Sequence, residues 1–269
     1  MSFKNYYKSC GLGLVLLFSA LCAAARDGVA VVVDVVSYDK ARAELNDYVK
    51  ALEQKQGYKV YVVVDRWQVP DSIRAELMAL HTQKHDAIVG AVLVGDIPVP
   101  MVRDAQYLTS AFKMDQTVNR RESSVPSDRF YDDFSLRFRP LGKDDTLPYY
   151  YYSLTAEGAQ KLSPDIFSGR IRPTDAGGTS RYDKLRAYLR KATAAKLNPE
   201  RFRSVFVFTG DGSISESMPA HIDEFRGLME HFPQLAATPE AFSYMNYDDA
   251  TPIRFRMMNE MMRPDLSLA

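Results

Sequence analysis

Cysteine is nearly absent from this 269-residue chain: there are two, Cys10 and Cys22, both within the first 25 residues. A chain that loses that segment has no disulfide and no thiol nucleophile of its own. An excess of one charge is also missing, because 34 Lys+Arg balance 34 Asp+Glu. Nothing there favours a nucleic-acid partner, whose phosphates attract a basic excess. Neither G-x-G-x-x-G nor G-x-x-x-x-G-K-[ST] occurs, so a nucleotide site has little support. No G-x-S-x-G elbow marks a serine hydrolase. The apolar run Gly11–Cys22 is too short, and too soon followed by polar chain, to read as a membrane span.

What is present begins with that same segment. Lys4 and Lys8 precede the apolar run, no acid interrupts it, and Ala23, Ala24 and Ala25 follow. This is the order of a secretory signal, which implies export to the periplasm, cell surface or medium. Cleavage near Ala25 is the expected processing. A lipid-modified Cys22 is the alternative, disfavoured by Leu21 where a small residue is wanted. Over the whole chain, 46% apolar and 25% charged residues are ordinary globular composition, enough for a sizeable core.

Val29–Val36 is a continuous β-branched run, the pattern of a strand buried on both faces of a parallel sheet. Tyr38, Ala41, Leu45, Tyr48, Val49 and Leu52 follow at helical spacing, and Gly57 suits the helix end. Tyr58–Val64 reads as a second buried strand. Pro70 and Asp71 open a helix whose inner face is Ile73, Leu77 and Leu80. Ala87–Val94 is a third strand. The β-α-β-α-β order predicts right-handed crossovers and an α/β fold. Residues 97–165 are aromatic and irregular, with a hairpin expected between 134–140 and 148–154. An insertion this long is usually functional. A fourth core strand is expected over 166–171, then a helix from Ser180 to about Ala195 with Tyr182, Leu185 and Leu189 facing inward. Asn198-Pro199 marks a boundary between a first subdomain, 26–198, and a second, 199–269. A strand at 204–208, a helix near 219–231 and a Met-rich helix near 252–262 complete the reading.

Asp34, Asp65, Asp96 and Asp211 stand at the ends of expected strands. Ligands of open α/β sheets bind there, and clustered carboxylates can hold a divalent cation. Aspartates also end strands simply because they make turns and cap helices. His81 and His85 are spaced to share a helix face, but Lys84 and the lack of an intervening Glu favour a solvated helix end over zinc. His221 and His231 read as structural. Ser127-Asp128-Arg129-Phe130-Tyr131-Asp132-Asp133 sets three acids among aromatics. That suits calcium, or the cationic end of a substrate, and equally a structural pairing with Arg129.

Three motifs fall in a telling order: Val92-Leu93-Val94-Gly95-Asp96-Ile97-Pro98, Ser127-Asp128-Arg129-Phe130-Tyr131, and Pro164-Asp165-Ile166-Phe167-Ser168-Gly169-Arg170. With Gln56-Gly57-Tyr58-Lys59-Val60 upstream, they resemble the gingipain-like cysteine peptidases (peptidase family C25, clan CD) over about residues 29–210. The resemblance implies a caspase-like α/β fold, a mostly parallel sheet with helices on both faces, in two subdomains of which the second is incomplete. It implies proteolysis by a Cys–His dyad, in which a thiolate attacks the peptide carbonyl. The substrate would be a protein or peptide. No cofactor is required, a structural calcium ion being the one candidate. Asp96, Asp128, Asp132 and Asp165 are the nominated cleft or calcium residues, and an acid of the 128–133 cluster in the pocket would favour a basic P1 side chain. The family's His precedes a Gly and its Cys ends the next strand. This chain has no His-Gly and no cysteine after residue 22. Pro264–Ala269 resembles the start of the His-bearing strand, so a chain cut short of the dyad is expected. The alternatives are a non-catalytic gingipain-like binding module, and a magnesium-dependent carboxylate site at the strand ends.

Overall fold

The β-branched run forms strand β1, Gly28–Asp34, buried along its whole length. The structure, a computed structural model, describes residues 26–105, 115–198, 205–208 and 242–245. The chain divides into two compact units, Met1–Leu189 and Arg190–Ala269. Several expectations therefore lie outside the described residues: the secretory segment, Asp211, His221 and His231, both late helices, and Pro264–Ala269.

In the first unit, β2 (Lys59–Asp65) and β3 (Ile88–Val94) pair in parallel on either side of β1, and Phe167–Ile171, β8 in chain order, pairs in parallel with β3. The result is a four-stranded, all-parallel sheet of order β2-β1-β3-β8. The α/β architecture expected from the sequence is thus present. The steps β1→β2 and β2→β3 run in opposite directions across the sheet, so right-handed crossovers put their helices on opposite faces. On one face α3 (Pro70–Thr82) packs Ile73 and Leu77 against Ala30 and Val32. The first crossover holds two helices rather than the single one expected: α1 (Val35–Lys40) and α2 (Arg42–Lys55). Asp34 ends the strand, because its carboxylate caps α1 and turns Val35 and Val36 out of it, and Ala41, with φ −131°, separates the two helices. Gly57 follows the second helix with φ +77°, the left-handed conformation expected of a helix end. β2 departs from the expected buried strand. It is an edge strand, and Val62 and Val64 are exposed.

The long insertion forms a second sheet, of order β5-β4-β7-β6: β4 (Val99–Arg103), β5 (Val125–Pro126), β6 (Phe138–Lys143) and β7 (Tyr149–Leu154). β6 and β7 are the expected hairpin, its first strand displaced from 134–140 to 138–143. α4 (Arg129–Asp132) lies in the motif-bearing loop before it. α5, Arg181–Leu197, buries Leu185 and Leu189 as expected and leaves Tyr182 half-buried. Of the second unit, β9 (Val205–Phe208) and β10 (Phe242–Met245) pair in parallel. Among the described residues no helix is long and apolar enough to cross a membrane.

Candidate functional site

The crevice where crossovers leave a sheet in opposite directions is the usual ligand position of open α/β folds. Here it lies between the carboxyl ends of β1 and β3, where Asp34 and Gly95-Asp96 meet. Asp34 Oδ1 accepts hydrogen bonds from the amides of Val36 (3.0 Å) and Ser37 (2.9 Å), and Oδ2 accepts from the Asp96 amide at 2.7 Å. Three backbone donors therefore occupy this carboxylate, which joins the ends of two strands. The close approach requires Gly95. Its φ is +82°, and a Cβ there would overlap Asp34 Oδ2 and Ser37 Oγ.

The Asp96 side chain faces outward into an open cleft of about 550 Å³. Trp67 and Gln68, just after β2, form one wall; Ile97, Pro98 and Val99 continue from β3; Arg172 follows β8. Lys143, Pro148 and Tyr150 come from the β6–β7 hairpin. Trp67 is fixed by a 3.0 Å hydrogen bond from its Nε1 to the Val33 carbonyl, and the Tyr150 hydroxyl donates to the Gln68 carbonyl. The cleft thus joins the edge of the parallel sheet to the inserted hairpin. A neighbouring cavity of about 400 Å³ shares Val99 and Arg172 and adds Met101, Tyr149 and Asp128.

Each nominated carboxylate already has a partner. Asp96 accepts from Arg181 Nη2 at 2.7 Å and lies 3.6 Å from Arg172 Nε. Asp128 is held at both oxygens by Arg170, through Nε at 3.1 Å and Nη2 at 2.7 Å, while Arg170 Nη1 also donates to the Ile97 carbonyl. The Gly-Arg motif therefore ties the Ser-Asp motif to the end of β3. Asp132 is fully buried. Its Oδ2 pairs with Arg129 at 2.7 Å and accepts from Ser168, whereas Oδ1 has no hydrogen-bond partner among the described residues. Burial raises its pKa above the ordinary carboxylate value, against the opposing pull of Ser168 and Arg129. Asp165 Oδ2 accepts from the Phe134 amide at 2.6 Å. Asp96 lines the first cleft and Asp128 the second; Asp132 and Asp165 line neither.

Among the described residues no group of three or more His, Cys, Asp or Glu is arranged to hold a metal ion. The two histidines do not share a helix face, since α3 ends at Thr82 and His85 lies beyond it. His81 instead sits with Nδ1 2.9 Å from the Ile88 carbonyl and its ring against Phe134. Trp67, Lys143, Tyr150 and Arg172 went unnoticed in the sequence. A signal existed for Trp67, the one tryptophan of the chain. The others depend on a hairpin folding back over the sheet edge.

No family model, curated protein or solved structure matches this chain. The geometry of the cleft, together with the ordered motifs that build it, therefore carries the functional argument.

Proposed function

We propose that this chain supplies the peptide-binding α/β part of an exported, gingipain-like cysteine endopeptidase. The observation that carries the reading is the cleft at the carboxyl edge of the parallel sheet. Residues within or just after two of the resembling motifs line it: Asp96 to Val99 after β3, and Arg172 after β8. An open trough with an indole, a phenol and two prolines in its lining suits an extended peptide, which offers alternating side chains and a polar backbone. Hydrolysis needs a thiolate close to an imidazole, and the described residues that line the cleft include neither a cysteine nor a histidine. The dyad must come from other residues.

Trp67 makes the cleft directly observable, because any change in tryptophan emission comes from this one side chain. Titration of the full chain with extended peptides should change that emission saturably, with no cleavage detected by mass spectrometry. Peptide binding absent by both fluorescence and calorimetry would sink the reading. Cleavage by this chain that survives iodoacetamide would show chemistry other than a thiolate's. The second reading, a non-catalytic binding module, is favoured by the lack of any cysteine after residue 22. It predicts the same binding with no peptide hydrolysis by the protein.

A further inference from the structure

The lining of the cleft carries two cationic side chains, Lys143 and Arg172, and one carboxylate, Asp96. Asp96 is already engaged by Arg181 at 2.7 Å, and Arg181 is not a lining residue. Arg181 also lies 3.8 Å from the exposed Asp175, and the lining itself holds two cations against one carboxylate, an excess of positive charge facing the cleft. Arg172 meets Asp96 only through Nε at 3.6 Å, and its terminal nitrogens donate no hydrogen bond among the described residues. Lys143 is exposed, lies 5.6 Å from the centre of the Tyr150 ring, and has no carboxylate partner among the described residues. The adjoining cavity repeats the pattern. Its Asp128 is neutralised at both oxygens by Arg170, and Arg172 lines that cavity as well.

We infer that the cleft selects acidic peptide segments: an Asp or Glu side chain held by Arg172 and Lys143, next to an apolar or aromatic residue packed on Trp67. A guanidinium with free terminal nitrogens offers a planar fork that matches a carboxylate. Lys143 adds a mobile point charge from the opposite, hairpin side. A basic side chain would meet two like charges and no free acid, which is repulsive selection in addition to attraction. This inference rests on the peptide-cleft reading.

The test uses the full chain and three peptides of the form apolar–aromatic–X–apolar, with X as Glu, Gln or Lys. Calorimetry and Trp67 emission should give binding of the Glu peptide roughly 3- to 10-fold tighter than Gln, the range expected for two partly exposed ion pairs. The Lys peptide should be weakest, and the preference should shrink as salt rises. Replacing both cations, K143Q with R172Q, should erase the preference, bringing the Glu and Gln peptides to equal affinity. The reversed pair, K143E with R172E, should turn it toward Lys. Far-UV circular dichroism checks that each variant is folded, and the neutral pair alone decides the matter if the reversed pair is not. Equal binding of Glu and Gln, or tightest binding of Lys, overturns the inference and leaves the peptide cleft standing. Failure of every peptide to bind overturns both.

Discussion

At the scale of single residues, the strand-end aspartates separate by what holds them. Asp34 receives three backbone donors and is nearly buried, whereas Asp65 is exposed and caps only the Arg66 amide. Asp34→Ala should therefore cost about 2 kcal/mol, the loss of a helix cap plus an unsatisfied amide. Asp65→Ala should stay within about 0.5 kcal/mol. Urea unfolding of both variants distinguishes them, and equal losses would mean that Asp34 is not the joint between strands. Gly95→Ala should be at least as harmful, about 2 kcal/mol or more, because it adds a strained positive φ to a clash with Asp34. Asp132 carries a pH signature. Its pKa is raised in the folded protein, so the folded state binds the extra proton and this group weakens the fold above that pKa. Protonation relieves the penalty as pH falls through the folded value, and the gain levels off below the unfolded value. The stability of the wild type relative to Asp132→Asn should therefore improve on mild acidification. A pH-independent difference between the two would contradict the burial argument. The sequence showed that acids cluster in 128–133, but not which of them folding would bury, since burial depends on how β8 passes behind the loop.

At the scale of elements, α3 has two working faces. The apolar one, Ile73 and Leu77, is legible from helical spacing and packs on the sheet. The polar one holds the insertion. Asp71 accepts from the Tyr152 hydroxyl at 2.6 Å. Arg74 donates to the carbonyls of Phe130, Asp133 (3.0 Å) and Leu136 (2.9 Å), with its guanidinium beside the rings of Phe130, Phe134 and Phe138. Arg74→Ala should cost about 3 kcal/mol, because several half-buried carbonyls lose their donor together. Arg74→Lys should recover little of it, since a compact ammonium lacks the planar fork that reaches spread-out carbonyls while stacking beside aromatic rings. Hydrogen exchange should show faster exchange across 129–138 in both variants, with β1 and β3 protected longest. A uniform loss of protection would instead make the insertion part of one cooperative core. The strand Val99–Arg103 was missed for a definite reason. Pro98 and Pro100 interrupt the local pattern, and the parallel pairing with Tyr149–Ser153 joins segments about fifty residues apart, which no short window reveals.

At the scale of the whole molecule, the cleft exists because the hairpin of the insertion folds against the carboxyl edge of the sheet. Removing contact at that seam should damage binding more than folding. Tyr150→Ala deletes the bond to Gln68 and one side of the trough, and should weaken peptide binding several-fold while the unfolding midpoint changes modestly. The reverse pattern would make Tyr150 a packing residue. The linear chain determined the β-α-β-α-β order, the parallel sheet and the opening of α3 at Pro70, because hydrophobic period and cap chemistry are local. It also determined that no cysteine follows residue 22, which is a matter of composition. Only the tertiary structure decided which charges meet. Asp96 and Asp128 are held by arginines 85 and 42 residues away, and Arg172 and Lys143 give the cleft lining its excess of positive charge. Coulomb interactions depend on separation in space, and that separation is set by the folding of strands and hairpin rather than by position along the chain.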